Sequence, residues 1–192
     1  MDHPQEAPAQ DRRVQRSRAA LMTAAVRLVT ERGTTAVPVT DLADAADVTR
    51  KLLYLHFGDR DALLVAAAAD LVERELVAQA ARAAKDLHAQ VLVAAAHFAE
   101  HQAFYRPMLT GSCAFAMART LNGVFGSLNR ATVRDLFGAL DEATVNDVAT
   151  FFAGGASAVV YDWLIDGADP LVPGELADRL LRLASVITPH QP

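Results

Sequence analysis

Apolar residues along this chain recur three and four positions apart far more often than they alternate, which is the spacing that lays a stripe along one face of a helix. Leu21, Ala25, Leu28 and Val29 make the first stripe, and Gly33, after Glu31-Arg32, closes it. Pro38 stands where a first helical residue tolerates proline, Asp41 puts an acid in the first turn, and Leu42, Ala43 and Ala46 give a short apolar face. A tight break at Asp47-Val48 follows. Thr49 is placed as an N-cap, and a second short helix runs to about Phe57 before Gly58 stops it. Beyond it the elements lengthen: Asp59 caps a helix expected over Arg60–Ala84, and Asp86 opens one to about Tyr105, ended by Arg106-Pro107. Ser112 begins a stretch to about Asn129 interrupted by Gly123 and Gly126, with a short helix or turn over residues 131–140. Asp141 opens a helix over Glu142–Asp166, and after the loop 168–173 a last one runs over Gly174–Ile187 before Pro189. No convincing strand pattern, repeat or low-complexity tract interrupts this, so the fold class is all-α, with residues 1–10, polar and Pro-containing, expected as a flexible arm.

Composition narrows the picture. The 192 residues are 52% hydrophobic with 10 Gly and 8 Pro, enough for a sizeable core and too apolar for disorder. A single Cys excludes an internal disulfide and paired-Cys zinc or redox sites, and favours a reducing compartment, so a cytoplasmic location is expected. The polar first residues lack a signal peptide's apolar stretch, and apolar runs such as 62–69 fall below the roughly 18 residues of a bilayer span, so no membrane partner is expected. The net charge of −5 divides unevenly: residues 1–60 carry 9 Lys/Arg against 8 Asp/Glu, and residues 61–192 carry 9 against 15. That is the sign expected if only the N-terminal third meets an anion.

Two short helices joined by a tight turn, the second opening with Thr49, Arg50 and Lys51, form the pattern of a helix-turn-helix. A recognition helix enters the major groove N-terminus first, so Arg50 and Lys51 are placed to donate to guanine O6 and N7, Thr49 to a base or phosphate, and Leu52 to a thymine methyl. The run VTRKLLYLHFGDRDALL over residues 48–64 resembles the third-to-fourth-helix signature of the tetracycline-repressor (TetR) family, with Val39–Ala46 similar to that family's second helix and Leu21–Gly33 to its first. The resemblance spans roughly residues 14–66. It implies phosphate contacts from Tyr54 and His56, a backbone contact from Arg60, and core packing by Leu53 and Phe57. It adds Thr40 to the DNA-facing set, and it divides the chain into a helix-turn-helix domain at 11–60 and a ligand-binding and dimerisation domain at 61–192. Asp47 stands where the family has Gly, Pro38 where it has Thr, and Leu55 at a commonly polar position. The arginines at 12, 13, 16 and 18 are placed where they could meet the DNA backbone.

The remainder supplies large apolar groups with polar handles, as a pocket for a small-molecule effector needs: His97, His101, Phe104, Tyr105, Met108, Phe115, Met117, Phe125 and Trp163, with Phe98 and Cys113 beside them. A homodimer through the last two helices is expected to use Phe152, Gly155, Val159, Trp163, Leu176, Leu180 and Leu183, the small residues at 153–156 permitting close helix approach. No cofactor or resident metal is expected and the chain is read as a regulator, a repressor released from a palindromic operator, and not as an enzyme. Two other readings stand beside it. One is a ligand or metal sensor that has lost operator binding. The other is a zinc-dependent hydrolase using the H-x-x-E-H pattern of His97, Glu100 and His101, with Glu142 or Glu175 as third ligand.

Overall fold

The computed structural model describes residues 6–79 and 86–187. They form helices joined by short loops: α1 (Glu6–Arg32), α2 (Val39–Ala45), α3 (Arg50–Phe57), α4 (Arg60–Leu71), α5 (Leu87–Glu100), α6 (Gln102–Thr110), α7 (Ala114–Phe137), α8 (Glu142–Asp166) and α9 (Pro173–Ile187). Four starts are fixed by side-chain caps at the expected residues. Thr49, Asp59, Asp86 and Asp141 accept from the backbone N–H of Leu52, Ala62, Ala89 and Thr144 respectively, satisfying donors that a helix start leaves orphaned.

Four expectations are corrected. The helix begins at Glu6, inside the segment read as an arm. The helix after Asp59 departs from α geometry after Leu71, and Val72–Val77 form a π-helical turn. The helix after Asp86 breaks at His101, not at Arg106-Pro107, and Pro107 lies inside α6. There its ring removes only one ladder hydrogen bond, while the preceding Arg106 Nε donates to the Leu164 carbonyl at 2.6 Å and pins α6 to α8. Gly123 and Gly126 do not interrupt α7, which runs unbroken into the stretch read as a separate turn. The packing of α7 along α8 outweighs the roughly 1 kcal/mol a helical glycine costs. Pro189 lies outside the described residues.

One buried cluster runs from Leu21, Leu28 and Leu42 through Leu53, Leu63 and Leu71 to Phe104, Met117, Trp163 and Leu176. It crosses the expected domain boundary at 60/61, because α4 packs on α1 on one side and on α7 on the other. A smaller cluster of Val133, Val145 and Ala149 closes the far end of the α7–α8 hairpin, where Phe137 stacks on Phe152. Among the described residues α8 alone is long and apolar enough to cross a membrane by length and composition. Its apolarity serves two faces, one buried against α7 and one exposed.

Candidate functional site

The N-terminal unit is held in shape from α1. Ser17 Oγ lies 2.9 Å from His56 Nε2, Arg18 Nη1 donates to the His56 carbonyl at 2.8 Å, and the Arg18 guanidinium sits 4.5 Å over the Phe57 ring. Arg18 is therefore a clamp on the end of α3, whereas Arg13 and Arg16 are exposed. Arg32 pairs with Asp41 at 2.7 Å across α1 and α2. Asp47 turns the chain between α2 and α3 in the left-handed region at φ 51°, which a short polar side chain accommodates.

This scaffold leaves one side of α3 open. Arg50, Lys51 and Thr49 are exposed at its start, and neither basic side chain has a hydrogen-bond or ion-pair partner among the described residues. Tyr54 is 52% exposed and Leu55 75%, while Leu53 is fully buried and Leu52 and Phe57 are half-buried, so Leu52 offers only part of its surface outward. Thr40 is exposed at the start of α2, its hydroxyl donating to Asp41. The His56 ring is held below the ordinary histidine pKa by partial burial and then by the Arg18 charge, so it is neutral at pH 7. Arg60 reaches elsewhere: its Nε donates to Asp61 at 2.9 Å and its Nη2 to Ser112 Oγ at 3.5 Å, beside the loop between α6 and α7. That loop also meets the buried Thr35 after α1, because Gly111 packs on it so closely that a Cβ there would overlap the Thr35 hydroxyl and lie 2.8 Å from the Pro107 carbonyl.

Deeper in the chain a cavity of about 440 Å³ opens between α5, α7, α8 and the π-helical turn. Its wall is mainly apolar: Leu76 and Val77, then Val91, Ala94 and Phe98, Leu121 and Phe125, and Val160, with Leu180 from α9. Ser157 and Tyr161 supply polar groups; the buried Tyr161 hydroxyl has no well-formed hydrogen bond among the described residues, and burial raises its pKa against the opposing pull of nearby Ser157. Of the residues read from sequence as pocket-lining, Phe98 and Phe125 lie on this wall. Phe104, Tyr105, Met108, Met117 and Trp163 are buried in the core, and Phe115 is 77% exposed.

His97 and His101 are also elsewhere. His97 Nε2 lies 2.9 Å from the Tyr105 hydroxyl, His101 Nε2 lies 2.7 Å from Glu75 Oε2, and His97 Nδ1 lies 3.7 Å from the same oxygen. Burial, with help from His101 and against the pull of Glu75, lowers the His97 pKa to about 4, so its ring is neutral. Glu100, the expected general base of an H-x-x-E-H site, is exposed on α5, and the carboxylate that meets both histidines is Glu75. Glu75 precedes them by over 20 residues, and the sequence carries no signal for it.

The interface residues divide. Trp163 and Leu176 are buried inside the protomer, Leu180 lines the cavity, and Phe152 and Val159 are half-buried, so only Gly155 and Leu183 lie exposed. The outward stripe of α8 is instead Phe151, Gly155, Ala158 and Ile165, with Leu183 and Val186 exposed on α9.

Residues 21–67 match the sequence profile described as bacterial regulatory proteins, tetR family. No curated protein matches the chain as a whole. Solved structures share its fold over nearly its whole length. The Thermus thermophilus FadR, a TetR-family transcriptional repressor solved with lauroyl-CoA, aligns over 91% of this chain and 97% of its own at 18% identity and TM-score 0.65. A TetR transcriptional regulator from Rhodococcus sp. RHA1 aligns over 93% and 99% at 17% identity and TM-score 0.63. The TetR-family repressor AlkX of Dietzia sp., implicated in n-alkane biodegradation, aligns over 88% and 93% at 19% identity and TM-score 0.56. Residues 21–67 thus carry the sequence signature of the tetR family of bacterial regulatory proteins, and the whole chain shares the fold of solved TetR-family regulators.

Proposed function

We propose that the protein is a homodimeric, cytoplasmic repressor that binds a palindromic operator through α3 and releases it when a small apolar molecule enters the cavity. The observation that carries the DNA reading is the open side of α3, where unpaired Arg50 and Lys51 precede the exposed Tyr54 hydroxyl. Arg50 and Lys51 read base edges, and Thr40, Thr49, Tyr54 and His56 hold phosphates. Residues 11–60 then serve DNA and residues 61–192 serve effector and partner. The exposed stripes of α8 and α9 pair two protomers in a four-helix contact, which sets the recognition helices about 34–36 Å apart, one turn of DNA.

The cavity supports effector control because one continuous element serves both ends. The helix that begins with Arg60 beside the loop at Ser112 ends with Leu76 and Val77 in the cavity wall. An apolar guest with a polar end for Tyr161 fits this lining, and an acyl chain of the kind bound by the Thermus FadR is the effector class it suggests. Release requires that the guest bind the DNA-incompetent conformation more tightly, since equal affinity for both shifts nothing. The test is fluorescence anisotropy on the DNA flanking the protein's own gene against scrambled DNA, over a salt series and then with fatty acyl compounds. Specific binding that weakens steeply with salt and is lost on acyl addition is expected. A folded dimer without preference at any salt supports instead a sensor without an operator.

A further inference from the structure

Glu75 lies in the π-helical turn that ends α4, and His97 and His101 lie four residues apart on one face of the end of α5. Their ligand-capable atoms all fall within 4.8 Å of one another. We propose that these three side chains bind a divalent transition-metal ion of the Zn2+ class, a site independent of whether the chain binds DNA.

Three observations carry it. Two ligands held about 2.0–2.2 Å from a tetrahedral ion stand about 3.3–3.5 Å apart. The distances from Glu75 Oε2 to His101 Nε2, 2.7 Å, and to His97 Nδ1, 3.7 Å, straddle that value, so small side-chain adjustments admit the ion. The His97 ring is already oriented for the task. With Nδ1 toward Glu75 and Nε2 2.9 Å from the Tyr105 hydroxyl, an ion on Nδ1 would leave the Nε2–H to donate to the Tyr105 oxygen, the hydrogen bond that fixes tautomer and basicity in histidine ligands. Finally, Glu75 has no Arg or Lys ion-pair partner among the described residues, and its close charged or titratable contacts there are the two imidazoles. Two imidazoles and a carboxylate suit Zn2+ and its neighbours better than Mg2+, and three protein ligands leave a position for water or a further donor. Bound there, the ion ties the end of the α4 segment to the α5–α6 corner.

The test is calorimetric titration of chelator-treated full-length protein with Zn2+ and, separately, Mg2+. It is paired with the imidazole resonances of the wild-type protein during the Zn2+ titration. One Zn2+ per chain, no Mg2+ uptake, and shifts at the His97 and His101 rings are expected. Glu75→Gln and His101→Gln, which keep volume and hydrogen-bonding capacity, each weaken Zn2+ binding by about tenfold or more, as does the outer-shell change Tyr105→Phe. His88→Gln, on an exposed α5 residue outside the cluster, leaves it unchanged. Circular dichroism establishes that each variant is folded. Absence of Zn2+ uptake by the wild type, equal uptake of Mg2+, shifts confined to other histidines, or undiminished binding in folded Glu75→Gln and His101→Gln overturns the proposal.

Discussion

Arg50, Lys51 and Tyr54 lie close together on α3 and are all exposed, yet their chemistry separates what each would contribute in the proposed DNA contact. A guanidinium that grips guanine reads sequence, whereas a phenol on phosphate only positions. Arg50→Ala should therefore cost about 1–3 kcal/mol on the specific operator and relax preference at one position, while Tyr54→Phe weakens all sequences alike. A binding-site selection with each variant distinguishes the two patterns, and unchanged binding by both removes α3 from the interface. His56 gives a pH signature. Its folded-state pKa lies below the ordinary 6.5, so in the window under 6.5 the unfolded chain takes up the proton first. The stability this ring contributes is present above that value and is lost as pH falls through the folded pKa. Nuclear magnetic resonance titration of the free protein should give a His56 midpoint under 6.5, moving upward with DNA bound. A midpoint at or above 6.5 in the free protein contradicts the burial argument.

At the scale of the element, the glycines separate into those that matter by space and those that matter by propensity. A Cβ at Gly123 on α7 would meet nothing within 4 Å, so Gly123→Ala should stabilise the fold by about 0.5–1 kcal/mol in chemical denaturation. Gly111→Ala should destabilise it by about 1–3 kcal/mol, because the methyl collides with Thr35 and the Pro107 carbonyl where two loops meet. Equal effects from the two changes would show that the close contact at Gly111 is not kept in solution. The same elements show what can be read from local sequence. Thr49, Asp59, Asp86 and Asp141 announced their helices because a cap acts within three residues. The continuity of α7 through Gly123 and Gly126 was hidden because its cause is the helix packed beside it, and the break at His101 carries no turn residue to mark it. The span of α3, from the Thr49 cap to the stop at Gly58, was legible. The Ser17 and Arg18 clamps, the cavity wall and Glu75 were not, since each depends on partners more than 20 positions away.

For the molecule as a whole, the proposed dimer rests on the outward faces of α8 and α9. Phe151 is 72% exposed and heads the stripe continued by Gly155, Ala158 and Ile165, a row without a charge until Asp162. Phe151→Asp should leave the protomer folded, since the side chain contributes little to its core, but should weaken self-association by about 2 kcal/mol or more. Sedimentation would show monomer at concentrations where the parent is a dimer, and operator affinity would fall with it. A variant that remains dimeric would move the interface off α8.

The π-helical turn at Val72–Val77 bears on how this chain could have diverged. Each of its hydrogen bonds spans one residue more than an α-helical bond, so the segment holds surplus chain, as a spliced-in residue would leave. In an unbroken α-helix each added residue rotates all that follows by about 100°. Here the wide turn confines that rotation. Leu71 just before it and Leu76 near its end both remain buried, while Glu73 to Glu75 between them face outward or partly so. Glu75 is one of those, so a single insertion or deletion at this point could gain or lose the carboxylate facing the two histidines while leaving α2 and α3 where they are.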